Sequence, residues 1–294
     1  MRLFGHRGAS FDCPENTRVS FETALENGAN GVECDIQLLA DGNVVILHDD
    51  TLRRTANSPL NAAHESVLDL DVSQLTWEQV QPIDVGAYRG PQWAGQRVLL
   101  LEEFLAIVAG HDTACCLLEL KGADEAIIQP AIQVAQAAIA AGMAAERLIW
   151  ISFDLSLVQT IKTLLPACST YHIAAVAPLS TTAAELVSQK GSDPDGGEGE
   201  GRCFELLDQA AAAGIDGVDF GAVASVVTEA VFAYAASRNL QIGLWVSTNF
   251  AKKLDMDLDN AANVDLFAAC GAQFFTSDLP PDVWAQNRPI ACEI

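Results

Sequence analysis

Gly31-Val32-Glu33-Cys34-Asp35, then Asp41-Gly42, then Val44-Val45-Ile46-Leu47-His48 is the stretch whose reading decides the fold. Glu33 and Asp35 are two residues apart, so on a strand both side chains leave the same face. Asp41-Gly42 is a tight-turn signal, and only residues 37–43 separate the two apolar runs. A parallel neighbour needs a crossover of a dozen or more residues, so the second run must return antiparallel, as a hairpin. Setting it aside leaves eight strand candidates, at residues 3–6, 31–35, 114–119, 148–152, 171–175, 217–219, 242–247 and 273–276. Ala-rich or amphipathic segments lie between them, at 17–27, 101–109, 124–141, 155–164, 203–213, 228–237 and 258–269. Repeated β-then-α units of this kind predict an α/β fold, a closed parallel barrel of eight strands.

Two stretches fall outside the pattern. Residues 51–97 have weak periodicity and carry Asn57-Ser58-Pro59, Pro82, Gly86, Gly90-Pro91 and Gly95. They predict a small inserted subdomain after the second strand, covering part of the barrel mouth. Residues 190–202 are acidic and Gly-rich and match no EF-hand spacing, so a flexible solvated loop is expected there. Residues 255–259 read as the acidic first turn of a helix, favoured by its dipole. The 294 residues are thus expected to form a single barrel domain.

The formal net charge of -23, with no basic patch, excludes nucleic acid and anionic membrane surfaces as natural partners. No apolar run reaches the length of a membrane-spanning helix. The start, Met1-Arg2-Leu3-Phe4-Gly5-His6, has no signal-peptide features, and the eight cysteines show no CxxC pairing. Buried reduced thiols and a cytoplasmic location are the expectation. An anionic substrate would be repelled by this chain unless the site supplied cations, which argues for a divalent metal together with Arg7 and Lys121.

The ionisable residues cluster at strand ends, where a barrel brings them together. Glu33, Asp35 and Glu119 would make a three-carboxylate oxygen site suited to Mg²⁺ or Ca²⁺. Carboxylates on one face repel unless a proton or a cation sits between them. Lys121 shares the strand parity of Glu119, so it can hold a phosphate oxygen or neutralise the acids. His6 and His48 are the general acid/base candidates, each beside a charged residue, Arg7 or Asp49. Arg7 suits a phosphate clamp, because guanidinium matches two oxygens at once. Around Pro14-Glu15-Asn16-Thr17, Asn16 or Thr17 can cap a helix and Glu15 can favour its dipole. His64, His111 and His172 lack such settings. These groups together suggest metal-assisted phosphoryl chemistry.

The series His6-Arg7-Gly8, Pro14-Glu15-Asn16-Thr17, Gly31-Val32-Glu33-Cys34-Asp35, Asp41-Gly42, Leu47-His48-Asp49-Asp50-Thr51-Leu52, Arg54-Thr55 and Leu118-Glu119-Leu120-Lys121 resembles the glycerophosphodiester phosphodiesterase family. Weaker similarity runs through Ile83-Asp84-Val85-Gly86, Ile151-Ser152-Phe153, Trp245 to Asn249 and Thr276-Ser277-Asp278. The resemblance implies a TIM-type (β/α)8 barrel with a small insertion after the His-Asp motif. It implies hydrolysis of glycerophosphodiesters to sn-glycerol 3-phosphate and an alcohol, by way of a cyclic phosphate. It further implies Glu33, Asp35 and Glu119 as ligands of one divalent cation, His6 and His48 as the acid/base pair, and Arg7 and Lys121 on phosphate. Glu15, Asn16 and Trp245 are the remaining substrate-site candidates. Two departures stand out. The run Trp245-Val246-Ser247-Thr248-Asn249 is one residue longer than the family's usual spacing, which turns Trp245 away from the site if Asn249 keeps its register. Thr276-Ser277-Asp278 replaces a Thr-Asp pair, which shifts or removes the late aspartate. A lysophospholipase D and a catalytically silent phosphodiester binder are the rival readings, and monomer and homodimer both remain open.

Overall fold

The computed structural model describes residues 1–176, 199–247 and 261–279. The core is a sheet in the order β1 (Arg2–Gly5), β10 (Phe274–Ser277), β9 (Gln241–Trp245), β8 (Gly217–Gly221), β7 (Ser169–Ala174), β6 (Leu148–Ser152), β5 (Cys115–Leu120) and β2 (Gly31–Leu38). All these neighbours run parallel, and β1 pairs with β2, so the sheet closes into a barrel of eight strands.

Strand alternation explains both faces. On β5, Cys116, Leu118 and Leu120 face outward into the apolar cluster built with α3 (Leu101–Ala109) and α4 (Ile128–Ala140). Cys115 and Leu117 face inward with Phe4, Ile149, Ile151, Tyr171, Ile173 and Phe274. Strands buried on both faces read as unbroken apolar runs, which is why this barrel was visible in the sequence. The inner cluster is a closed floor. Tyr171 and Phe274 meet edge-on at 5.1 Å, and Phe274 occupies the space a side chain at Gly243 would need.

The antiparallel return is present as β3 (Val44–Ile46), paired to the end of β2. Val44 and Ile46 face the barrel side, whereas Val45 and Leu47 face a separate cluster of Leu52, Leu68, Val72, Leu75, Val80, Ile83, Val85 and Val98. That second cluster holds the segment between β3 and β4 (Leu99–Leu100), which is made of a nine-residue 3-10 helix (Pro59–Val67), shorter 3-10 turns and the four-residue helix α2 (Trp77–Val80).

The structure departs from expectation at several ends. The strand β4, antiparallel to β3, is only two residues long, too short to give a periodic signal. The helix expected at 124–141 opens with a 3-10 turn, Glu125–Ile127, capped by Asp124, before α4 begins. Helix α6 (Gly199–Ala213) starts inside the stretch expected to be an acidic loop, because Glu200 suits a helical first turn. Residues 190–198 and 255–259 lie outside the described residues. Among the described residues, no helix is long and apolar enough to cross a membrane, and the cysteines are unpaired thiols.

Candidate active site

Strand ends and one hairpin deliver the polar residues to the mouth. Asp35 of β2 is in register with Glu119 of β5, and Glu33 sits one inward position deeper on β2. One carboxylate oxygen from each of Glu33, Asp35 and Glu119 lies within 4.8 Å of the others, and all three residues are buried. Buried like charges at that spacing need cations. The Lys121 ammonium supplies one, 2.6 Å from Glu119 Oε1 and 3.2 Å from Asp35 Oδ1. Arg7 supplies another, with Nε 3.3 Å from Asp35 Oδ2, while Asn16 Nδ2 donates to the same oxygen at 2.7 Å.

The protonation states divide accordingly. Burial pushes the Asp35 carboxyl up, but Lys121 and Arg7 outweigh it and hold the group well below the usual carboxylate range. Glu33 goes the other way. Burial, and then the charge of Asp35, push its carboxyl up to about 8. Its Oε2 accepts from the Arg7 backbone N–H at 2.8 Å, yet its buried Oε1 finds no hydrogen-bond partner among the described residues, nor does Asn16 Oδ1. Unmet buried oxygens beside two further carboxylates are a donor set that fits a hard, oxygen-loving divalent cation.

The β1–α1 loop wraps this centre under strain. Arg7 and Asn16 both take left-handed backbone conformations, φ 55° and 56°, which is costly for residues with side chains and concentrates at functional sites. Gly8 follows at φ 81°, packed so closely on Ser20 of α1 (Arg18–Glu26) that no side chain would fit. Sequence left the capping role to Asn16 or Thr17. Thr17 takes it, accepting from the Ser20 N–H, which releases Asn16 to bind Asp35. Glu15 does not serve the helix dipole. Its carboxylate lies 2.9 Å from Arg7 Nη1 and is gripped by Arg54, and although burial opposes ionisation these guanidiniums pull it down to about 2.

His6 follows β1. Its Nδ1 lies 2.5 Å from Asp278 Oδ1 and its Nε2 3.9 Å from Glu33 Oε2. Burial and Arg7 disfavour the imidazolium, but Asp278 and Glu33 prevail and its pKa is raised. His48 hangs from the β3 hairpin with Nδ1 2.8 Å from Asp49 Oδ1. Burial disfavours the charge on Asp49, yet His48 and Arg54 hold it below the usual range. An ionised carboxylate only accepts, so Nδ1 of His48 is the donor in this pair.

Strand parity gives the direction of Trp245. Gly243, two residues earlier on β9, faces the interior against Phe274, so Trp245 points inward as well, edge-on to Phe153 at 6.2 Å. Asn249, whose register was the condition for turning Trp245 away, lies outside the described residues. Sequence reasoning did not give roles to three residues. Asp278 was treated as displaced, although it pairs with His6. Arg54 figured only as a motif position. Asp219 went unnoticed on β8, buried on the inward face with Oδ1 lacking a hydrogen-bond partner among the described residues. Only its strand parity could have signalled it.

A closed parallel barrel with acids, imidazoles and guanidiniums gathered at the strand ends places the molecule among TIM-type barrels. The sequence model of the Glycerophosphoryl diester phosphodiesterase family matches residues 6–268, and the chain belongs to that family. A glycerophosphodiester phosphodiesterase of Caldanaerobacter subterraneus subsp. tengcongensis is 36% identical over 110 residues, 37% of this chain and 41% of that protein. One from Bacillus altitudinis is 33% identical over 120 residues, 41% of this chain and 45% of that protein. The matched stretch is therefore under half of each relative's length. Among solved structures, an Oleispira antarctica phosphodiesterase in complex with the product sn-glycerol-3-phosphate superposes with TM-score 0.72 at 18% identity, covering 97% of this chain and 96% of that one. A glycerophosphodiester phosphodiesterase from Agrobacterium tumefaciens gives 0.67 at 19%, covering 97% and 99%. Such likenesses establish the fold.

Proposed function

We propose that this chain is a divalent-metal-dependent phosphodiesterase that hydrolyses glycerophosphodiesters to sn-glycerol 3-phosphate and an alcohol. The convergence of Glu33, Asp35 and Glu119 within 4.8 Å carries the reading, and the family match supports it. Those three residues would hold one Mg²⁺ or Ca²⁺, which when bound polarises a phosphoryl oxygen and neutralises developing charge.

The chain's own groups account for the rest. Arg7 and Lys121 hold the phosphate, with Glu15 fixing the Arg7 fork and Asn16 steadying Asp35. Trp245 and Phe153 line the inner wall. One imidazole of the pair His6 and His48 takes the proton of the glycerol 2-hydroxyl as its oxygen attacks phosphorus. The other gives a proton to the departing alcohol oxygen as the P–O bond breaks. Water then opens the cyclic phosphate with the two roles reversed. Asp278 and Asp49 keep each Nδ1 occupied, so that proton transfer runs through Nε2. A cytoplasmic setting suits the buried thiols.

The test is release of sn-glycerol 3-phosphate from glycerophosphocholine. It is expected to stop with chelator and with His48→Ala. Full activity under either condition refutes the mechanism.

A further inference from the structure

Arg54 stands between two carboxylates, Asp49 after the hairpin strand β3 and Glu15 on the β1–α1 loop. Its Nε donates to Asp49 Oδ2 at 2.6 Å and its Nη2 to Asp49 Oδ1 at 3.0 Å. The same guanidinium donates to Glu15 from Nη1 at 2.6 Å and from Nη2 at 2.7 Å. Asp49 in turn holds His48 Nδ1 at 2.8 Å, and Glu15 holds Arg7 Nη1 at 2.9 Å. One side chain, rooted in the segment after the hairpin, thereby touches the partner of His48 and the partner of Arg7.

We propose that Arg54 is a positioning residue, setting His48 through Asp49 and Arg7 through Glu15. The inference rests on the roles given above to His48 and Arg7. Four hydrogen bonds consume four of the five N–H groups a guanidinium has, so Arg54 has little left to offer a substrate phosphate. Surface ion pairs usually contribute little, because two long side chains must be ordered for one screened contact. Here the geometry is a two-pronged fork on each carboxylate, and Glu15 is largely withdrawn from water. A planar fork can grip both acids together, whereas an ammonium is a single point of charge. Hydrogen-bonded supports of this kind decide the orientation of the groups that react.

The experiment compares Arg54→Ala, Arg54→Lys, Asp49→Asn and the double variant Arg54→Ala/Asp49→Asn, with glycerophosphocholine as substrate and His48→Ala as the control. Arg54→Ala is expected to lower kcat by roughly 10–100-fold, with KM moving far less. Arg54→Lys is expected to recover only part of the loss. In the double variant the two penalties should fail to add, because both cut the same connection to His48. Calcium binding followed by calorimetry should be unchanged in Arg54→Ala. A kcat within about twofold of wild type, or strictly additive penalties, overturns the proposal. So does a rise in KM alone, which would show that His48 is indifferent to the loss of Arg54. If Arg54→Ala fails to fold, full kcat in Arg54→Lys overturns it equally. A wild-type protein that releases no sn-glycerol 3-phosphate contradicts the functional reading instead, whereas an active wild type with an inert His48→Ala leaves Arg54 alone on trial.

Discussion

Asp84 and Asp219 are both buried, at 3% and 1% exposure, and their surroundings are opposite. Asp84 lies in the segment between β3 and β4. Its Oδ1 accepts from the N–H groups of Gly86 and Ala87 at 3.0 and 2.7 Å, and its Oδ2 from Gly95 N–H at 2.5 Å and Arg97 at 3.2 Å. Burial opposes its charge, but these donors win and hold the carboxyl below the usual range. Asp219 faces the barrel interior with an oxygen unmet among the described residues, and burial together with Glu119 and Glu33 pushes its carboxyl well above that range. Glu33 shares the condition of Asp219. An acid that organises a loop arrives with its donors built in; an acid in the candidate site is left for something else to satisfy.

The largest effect that could break this contrast is on activity. Glu33→Gln should cost more than about 100-fold in turnover and abolish cation binding by calorimetry, with the fold intact by circular dichroism. A variant that still binds cation would put Glu33 in the structural class with Asp84. The next effect is on stability. Asp84→Asn removes charge-assisted bonds to several backbone donors and should lower unfolding stability by about 1–3 kcal/mol in denaturant titrations.

The two regions should also respond oppositely to pH. Because the folded pKa of Asp84 is depressed, its contribution is present above the ordinary value, about 4, and disappears as acid protonates the folded form. Glu33 is raised to about 8. In the metal-free protein its contribution is therefore complete below about 4.3 and lost as pH climbs through 8. Added Mg²⁺ or Ca²⁺ should accordingly raise Tm more at pH 9 than at pH 5, and its uptake near pH 7 should release protons. Equal shifts at both pH values would remove the contrast. The smallest effect is expected for Asp219→Asn, which should leave Tm unchanged or raise it. A fall as large as that for Asp84→Asn would mean that Asp219 has a partner of its own.

Much of this was legible in the chain. Strands such as 148–152 and the hairpin at 44–48 announce themselves through apolar runs and turn chemistry, which act locally. The acids and imidazoles were legible because strand ends in a closed barrel must converge. Ion pairing across long separations was not. Asp278 meets His6 from 272 residues away, and Arg54 reaches Glu15 across 39, distances over which no periodicity survives. Strand β4 was missed for the converse reason, since two residues cannot display a pattern.

The hairpin carries a consequence for how such a site can change. His6 follows directly on β1 of the closed ring, but His48 is borne by a flap that leaves β2 and never joins the cylinder. The flap is anchored by its own apolar cluster, Val45 and Leu47 among Leu52, Val72 and Val98. Substitutions beneath it can therefore retune the reach of one imidazole while the other, and the ring that carries it, stay as they are.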